Sequence, residues 1–230
     1  MSDHRQQVLA AFEDLRVADV RDGMDTMMMH KVGSMSPTVR PVWRTRAFGV
    51  ARTVRYLPYD GNIPTMSPED YAQWSGRYYA DVCPYPFMDE IEAGDFVVID
   101  ASGVNAGLMG SENTLAGLRR GARGYVTSGG VRDTDEIILQ KVPVWSAMIS
   151  QSMVQGRLRY DAHNVPVSVG GVTVHPGDVI VADGDGVIVV PRAIALDVAE
   201  HAHAEHRRDK ARRRDHYEAL GMEFDPTVLD

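Results

Sequence analysis

Over residues 6–15 the apolar residues Val8, Leu9, Phe12 and Leu15 recur at the spacing of one helix face, which predicts an opening helix. A second helix is expected to begin near Asp19 and run into Met27, Met28 and Met29, whose flexible thioethers suit the filling of core gaps. The period then changes. Phe48, Val50, Val54 and Tyr56 alternate with period two, with Arg52 in the same series, and predict a strand. Residues 94–100 (GDFVVID) read as a turn entering a buried strand, 112–120 as a short helix closed by Gly121, and 124–128 as another strand. A glycine turn at Gly129 and Gly130 is expected next, leading through Val131, Arg132 and Asp133 into a short helix over residues 135–140.

Residues 165–191 are rich in short strand patterns, VPVSV, GGVTV, GDVIVAD and GVIVVP, separated by Gly-Gly, His-Pro-Gly and Asp-Gly-Asp-Gly turns. A long helix follows over residues 192–221 and leaves a tail at 222–230. The segment GDVIVAD echoes GDFVVID, either as an internal repeat or as one turn-strand solution used twice. Strand-helix-strand order between residues 94 and 140 predicts an α/β fold with parallel pairing and ligands at the carboxyl ends of strands.

With 230 residues, 44% of them hydrophobic, the chain has material for one sizeable domain. No signal-peptide pattern opens it, and no apolar run approaches the roughly 18 residues needed to cross a bilayer, so a cytoplasmic protein without a membrane partner is expected. Cys83 is the only cysteine, which rules out an intrachain disulfide framework or a cysteine-built zinc site. A formal charge of -8 repels phosphate backbones and argues against a nucleic-acid partner. The one basic run, from Arg207 to Arg214, is interleaved with Asp209 and Asp215 and reads as a solvated or subunit-facing helix surface.

Residues 57–87 interrupt the regular pattern with five prolines and seven aromatic side chains, among them Tyr59, Trp74, Tyr78, Tyr79 and Tyr85. Such a stretch suggests an insertion in loop or lid form, packed on its own subunit, at a subunit interface or over a substrate. Chemistry concentrates elsewhere. In Gly129 to Glu136 the glycines permit close backbone approach, Arg132 offers a planar fork for a carboxylate, and Asp133, Asp135 and Glu136 offer oxygens to a hard cation. The same pattern also serves a helix cap with a surface ion pair. Gly110, Ser111, Glu112, Asn113 and Thr114 open the preceding helix, where free N–H groups bind an anion or are simply capped by Ser111. His201, His203, Glu205 and His206 form a loose transition-metal pattern on a helix expected to be exposed. Asp183 to Gly186 lacks the downstream Glu of a calcium loop and reads as a hairpin turn.

The run GSENTLAGLRRGARGYVTSGGVRDTDEI at 110–137 resembles the signature region of the RraA-like family, which holds metal-dependent 4-hydroxy-4-methyl-2-oxoglutarate aldolases that also decarboxylate oxaloacetate, and RNase E regulators. PVWS at 143–146, the stretch at 170–192, LRVADVRDGMD at 15–25 and FGVARTV at 48–54 fit as well. The resemblance implies one domain over residues 1–230, an αββα sandwich of the swivelling β/β/α type, assembled as a homotrimer or homohexamer with sites between subunits. It implies Mg²⁺ or Mn²⁺ on Asp133, with Asp135, Glu136, Glu205 and Asp209 as further acids around it, the last two from a neighbouring subunit. A 2-oxo acid would be held by Arg132 and by Gly110, Ser111, Glu112 and Asn113, and catalysis would fall to Arg132, Glu112 and Ser111. The aldolases carry an acid where Ser111 stands, with Glu112 one step on, so the base is the point of departure. The implied activity is carbon–carbon lysis releasing pyruvate or a related 2-oxo acid. No Schiff base is needed, in keeping with Lys31, Lys141 and Lys210 being the only lysines. A regulator that binds a protein partner without catalysis, or another lyase or hydratase reaction in the same site, are the alternatives.

Overall fold

The computed structural model describes residues 3–229. Among them, nine strands form one mixed sheet. Its path runs β1 (Arg40–Pro41), β6 (Val144–Ile149), β5 (Gly124–Val131), β3 (Asp95–Asp100), β2 (Ala47–Pro58), β10 (Val179–Ala182) and β11 (Val187–Val190). Off this path β4 (Gly107–Met109) pairs with β5, and β7 (Leu158–His163) with β2. A separate hairpin joins β8 (Val167–Val169) to β9 (Val172–Val174).

The centre of the sheet is parallel because helices carry the chain back between strands. Thus α4 (Ser111–Arg120) connects β4 to β5, α5 (Thr134–Leu139) connects β5 to β6, and both strand pairs are parallel. Alternation along the strands then divides the interior. On β3, Phe96 and Val98 join Trp145, Ile180, Val189 and the β8–β9 valines in a central core. Val97 and Ile99, one residue out of phase, pack with Tyr78 of α3 (Pro68–Asp81) and Ile137 of α5 in a second core. On β10 and β11, Val179, Val181, Ile188 and Val190 face α1 (Asp3–Ala11), α2 (Val17–Thr26) and α6 (Ala195–Leu220). The sheet therefore curls around a shared middle with helices on both outer sides, the αββα layering that the family resemblance implies.

The echoed heptapeptides share one turn-strand geometry. Gly94 and Gly177 both sit at positive φ, 89° and 90°. The next residue folds its carboxylate back onto the N–H three positions earlier, Asp95 onto Glu92 at 2.9 Å and Asp178 onto His175 at 2.8 Å. The two strands so launched flank β2, one parallel and one antiparallel.

Three expectations are corrected. Residues 68–81 form a helix rather than a loop, because Pro68 stands at the first helical position, where its missing N–H costs nothing, and Ser67 accepts the Asp70 N–H at 3.2 Å. Its aromatic residues pack on this chain: Tyr78 donates to the Leu158 carbonyl at 2.7 Å and lies 5.2 Å from the Tyr59 ring. Gly129 and Gly130 lie inside β5 rather than in a turn; Cβ atoms there would meet Ala101 and Ser150 at 2.6 Å, so the glycines serve close packing. Of the three methionines expected in the core, Met27 and Met29 pack partly buried against it, whereas Met28 follows the helix end and is 79% exposed; the fully buried methionine of α2 is Met24.

Buried Asp95 ties three segments together, accepting from Arg5 Nη2 at 2.6 Å, Arg52 Nε at 2.7 Å and the Glu92 N–H. Replacing Asp95 by Ala removes the buried acid from both guanidinium groups, leaving Arg5 the Ala93 carbonyl and Arg52 the more exposed Glu90 and Asn164, and is expected to cost about 3 kcal/mol in urea unfolding; a loss near zero would show that the cluster is not structural.

Candidate active site

At the carboxyl end of β5 the chain passes through Arg132 and Asp133 into α5. Asp133 takes a left-handed conformation, φ 54° and ψ 43°, which disfavours most side chains and is tolerated best by Asp and Asn after Gly. Its carbonyl accepts the Ile137 N–H at 3.0 Å, yet its side chain does not cap α5. The carboxylate turns the other way. Oδ2 accepts the Ser111 N–H at the start of α4 at 3.2 Å, and Oδ1 accepts Arg132 Nε at 3.0 Å. A simple helix cap is thereby excluded, since the left-handed backbone aims the acid away from its own helix.

Arg132 and Asp133 open onto a cavity of ≈ 170 Å³. Its floor is Gly107, Leu108 and Gly110, its rim Glu112 and Asn113 of α4, and its wall Tyr79, Tyr85 and Met153. A Cβ on Gly107 would meet Arg132 Cγ and Cδ at 2.7 Å, and one on Gly110 would fall 2.4 Å from Asp133 Oδ2. Tyr85 donates to the Leu108 carbonyl at 3.0 Å and Asn113 Nδ2 donates to the same oxygen at 3.3 Å, which pins the floor to the wall. Burial pushes the Tyr85 phenol far above its usual range and raises that of Tyr79, so both stay neutral. Among the described residues, the Arg132 terminal nitrogens have no hydrogen-bond partner, leaving the fork able to grip a carboxylate.

The sequence-predicted residues divide accordingly. Arg132, Asp133, Gly110, Glu112 and Asn113 converge on the cavity, and Ser111 takes part through its backbone N–H. Asp135 and Glu136 are exposed on α5 and do not line it. Glu205 pairs with Arg208, and Asp209 lies 3.8 Å from Arg213, on a helix that packs against α1 and α2 rather than against this cavity. The α6 histidines tie helices together: His203 Nε2 meets the Ala11 carbonyl at 2.9 Å and His206 Nδ1 the Asp19 carboxylate at 3.0 Å. Asp183 sits in the β10–β11 hairpin turn and accepts the Val17 N–H at 2.9 Å. Sequence reasoning missed Gly107, whose only signal is its place three residues before Gly110, and Met153, which carries none. Tyr79 and Tyr85 were visible only as members of the aromatic stretch.

Among the described residues no group of three His, Cys, Asp or Glu surrounds a common point. Asp133 nonetheless suits a hard cation. Its carboxylate is 31% exposed, is held in place by two donors and keeps lone pairs for a ligand. Mg²⁺ and similar ions retain several waters and need one or two protein carboxylates, drawing the remaining oxygens from substrate.

A family model described as RraA-like, Aldolase/RraA, matches residues 17–189 and so spans every residue that lines the cavity. The chain belongs to the RraA-like family. It is 34% identical over 223 residues to a protein of Halalkalibacterium halodurans provisionally named 4-hydroxy-4-methyl-2-oxoglutarate aldolase, covering 93% of this chain and 90% of that one. Protein DlpA of Legionella pneumophila is 27% identical over 192 residues, 83% of this chain, and the chain spans only 28% of DlpA's length. Among solved structures, an uncharacterized protein from Pseudomonas syringae superposes with a TM-score of 0.74 at 26% identity, covering 97% of this chain and 98% of that one. RraAS2 of Streptomyces coelicolor, described as an unusual member of the RNase ES inhibitor RraA family, superposes at 0.71 with 25% identity, covering 90% and 96%.

Gly110 has φ -127° and ψ -172°, open to any residue, so Gly110→Ala acts through its Cβ alone. It should displace the Asp133 carboxylate and weaken Mn²⁺ binding by roughly tenfold or more in calorimetry, with the fold intact by circular dichroism. Unchanged Mn²⁺ affinity would show that the contact is not needed.

Proposed function

We propose that this RraA-like protein is a Mg²⁺- or Mn²⁺-dependent carbon–carbon lyase acting on a 2-oxo acid and releasing pyruvate or a related 2-oxo acid. The observation that carries the reading is the convergence of the Asp133 carboxylate and the free Arg132 fork in one cavity at the carboxyl ends of β4 and β5. Asp133 would hold the cation, which when bound supplies Lewis-acid stabilisation of negative charge on the 2-oxo group.

The chain's own groups account for the rest. Arg132 grips the substrate carboxylate through its terminal nitrogens and stays beside the 2-oxo acid as the breaking C3–C4 bond sends its electron pair toward C3. The Ser111 N–H and Arg132 Nε fix the Asp133 carboxylate, so little reorganisation accompanies the charge change. Glu112, exposed at the rim, orients a water that takes the proton from the C4 hydroxyl in an aldol cleavage, a task for which the neutral Ser111 hydroxyl is poorly suited. Tyr79, Tyr85 and Met153 keep bulk water from one side of the site.

Assembly as a homotrimer or homohexamer belongs to the same reading, with Glu205 or Asp209 of α6 available to a neighbour's cavity. A cytoplasmic setting fits a chain in whose described residues no helix is long and apolar enough to cross a membrane. The formal charge of -8 argues against nucleic acid as a partner.

Asp133→Asn preserves tolerance of the left-handed backbone and should shift stability by no more than about 0.5 kcal/mol, while metal-dependent turnover of oxaloacetate falls roughly a hundredfold. Arg132→Lys should lose roughly tenfold or more, because a point charge cannot reproduce a bidentate grip. Full activity in both would sink the site. Should the wild type turn over no 2-oxo acid with Mg²⁺ or Mn²⁺ yet bind an RNase tightly, the regulator reading replaces this one. Glu112→Gln should lower aldol cleavage by roughly a hundredfold and oxaloacetate decarboxylation far less, since decarboxylation removes no hydroxyl proton. Equal effects on the two rates would remove Glu112 from the proton path.

A further inference from the structure

We infer that the site selects a 2-oxo acid with a single carboxylate and an apolar, ring-bearing tail, such as a 4-aryl-4-hydroxy-2-oxobutanoate, over a dicarboxylate. The inference rests on the lyase reading for its reaction but on other residues for its specificity.

Charge around the cavity gives the first argument. Among the described residues that line it, Arg132 is the one cation, and in the lyase reading its fork is taken by the carboxylate next to the 2-oxo group. Glu112 and Asp133 are the other charges, both acidic. A second carboxylate at the far end of the substrate would find no cation among these residues. Repulsion from solvent-exposed Glu112 is modest, so the main penalty is that a carboxylate placed against the rings loses its hydration with no charged partner in return.

The wall gives the second. Tyr79 and Tyr85 stand side by side, their ring centroids 6.3 Å apart and their planes inclined by 32°, and Met153 completes the apolar surface. Tyr85 cannot swing aside: its hydroxyl is tied to the Leu108 carbonyl, and its ring is packed against Tyr56 and Phe87 at 6.1 and 6.2 Å. Tyr79 is half-buried and comes from α3, next to buried Tyr78. Two adjacent rings, one of them held in place, beside a thioether favour an aromatic or branched apolar group, through ring-edge and sulfur contacts that a carboxylate cannot make.

With such a substrate the bookkeeping of atoms is that of an ordinary retro-aldol. The C3–C4 bond breaks and its electrons pass to C3. The C4 hydroxyl loses its proton to the water held by Glu112, and C4 leaves as an aryl aldehyde. C3 then takes a proton to give pyruvate, with no oxidant or reductant needed.

The test uses the full chain in its native assembly, so that residues of neighbouring subunits are counted. Calorimetry with Mn²⁺ should show phenylpyruvate binding roughly tenfold tighter than 2-oxoglutarate, neither of which has a C4 hydroxyl to cleave. Tyr79→Arg, which places a cation on the wall, should narrow or invert that ratio, and Tyr79→Ala should weaken phenylpyruvate alone. In cleavage assays kcat/KM should be higher for 4-hydroxy-2-oxo-4-phenylbutanoate than for 4-hydroxy-4-methyl-2-oxoglutarate. Wild-type binding of 2-oxoglutarate as tight as that of phenylpyruvate overturns the inference, whatever the variants do. Exchange of the pyruvate methyl protons with deuterated solvent separates the two levels, because it needs enolate formation and no tail. Exchange without aryl preference overturns the substrate class and leaves the lyase reading standing; aryl preference without exchange supports the apolar wall and overturns the lyase reading.

Discussion

Between Gly107 and Gly110 the backbone runs so close to Arg132 and Asp133 that a Cβ at either glycine would lie within 2.7 Å of their side chains. That approach fixes where the acid and the guanidinium point. It works together with the left-handed backbone at Asp133, which turns the carboxylate off its own helix and onto the first N–H of α4. Two ends of chain are thereby clamped across a pair of charged side chains, and the space left over is the cavity. A non-glycine residue other than Asp or Asn in that conformation would add strain, so the position combines a backbone demand with a chemical one.

The layered sheet supplies the rigidity this needs. β4 and β5 are parallel neighbours whose carboxyl ends emerge together, each followed by a helix, so Gly110 and Asp133 arrive side by side without long loops. Below them both faces of the sheet are buried, one against α3, α4 and α5 and the other against the central core. Gly129 and Gly130 inside β5 let Ala101, Ala106 and Ser150 press against the strand just before the site, which leaves it little freedom to shift. The repeated Gly-Asp turn that launches β3 and β10 on either side of β2 anchors the far end of the sheet in the same economical way.

Much of this was legible in the sequence because it is written in short range. Period-two runs such as GDFVVID and GDVIVAD, and the glycine that closes α4, are local signals that tertiary packing did not overrule. The Arg132–Asp133 pair and the start of α4 stood out as chemistry, although nothing local could say whether Asp133 capped its own helix; that depended on a torsion angle and on a glycine 23 residues earlier in the chain. The helix over residues 68–81 is hidden in the sequence because prolines surround it, although Pro68 occupies the one helical turn that welcomes proline. The wall residues Tyr79 and Met153 lie far apart in sequence and meet only through the packing of α3 against the segment that precedes β7, a contact that no periodicity encodes.

The proposed lyase chemistry requires that Asp133 and Arg132 act on one ligand. A crystal structure of the assembled protein soaked with Mn²⁺ and oxalate, a planar mimic of the pyruvate enolate, tests it most directly. Mn²⁺ is expected beside the Asp133 carboxylate, found by its anomalous signal, with the oxalate lying between the metal and the Arg132 fork inside the cavity walled by Tyr79 and Tyr85. Metal and oxalate bound elsewhere, or an Asp133 carboxylate with no metal beside it at saturating Mn²⁺, would contradict it.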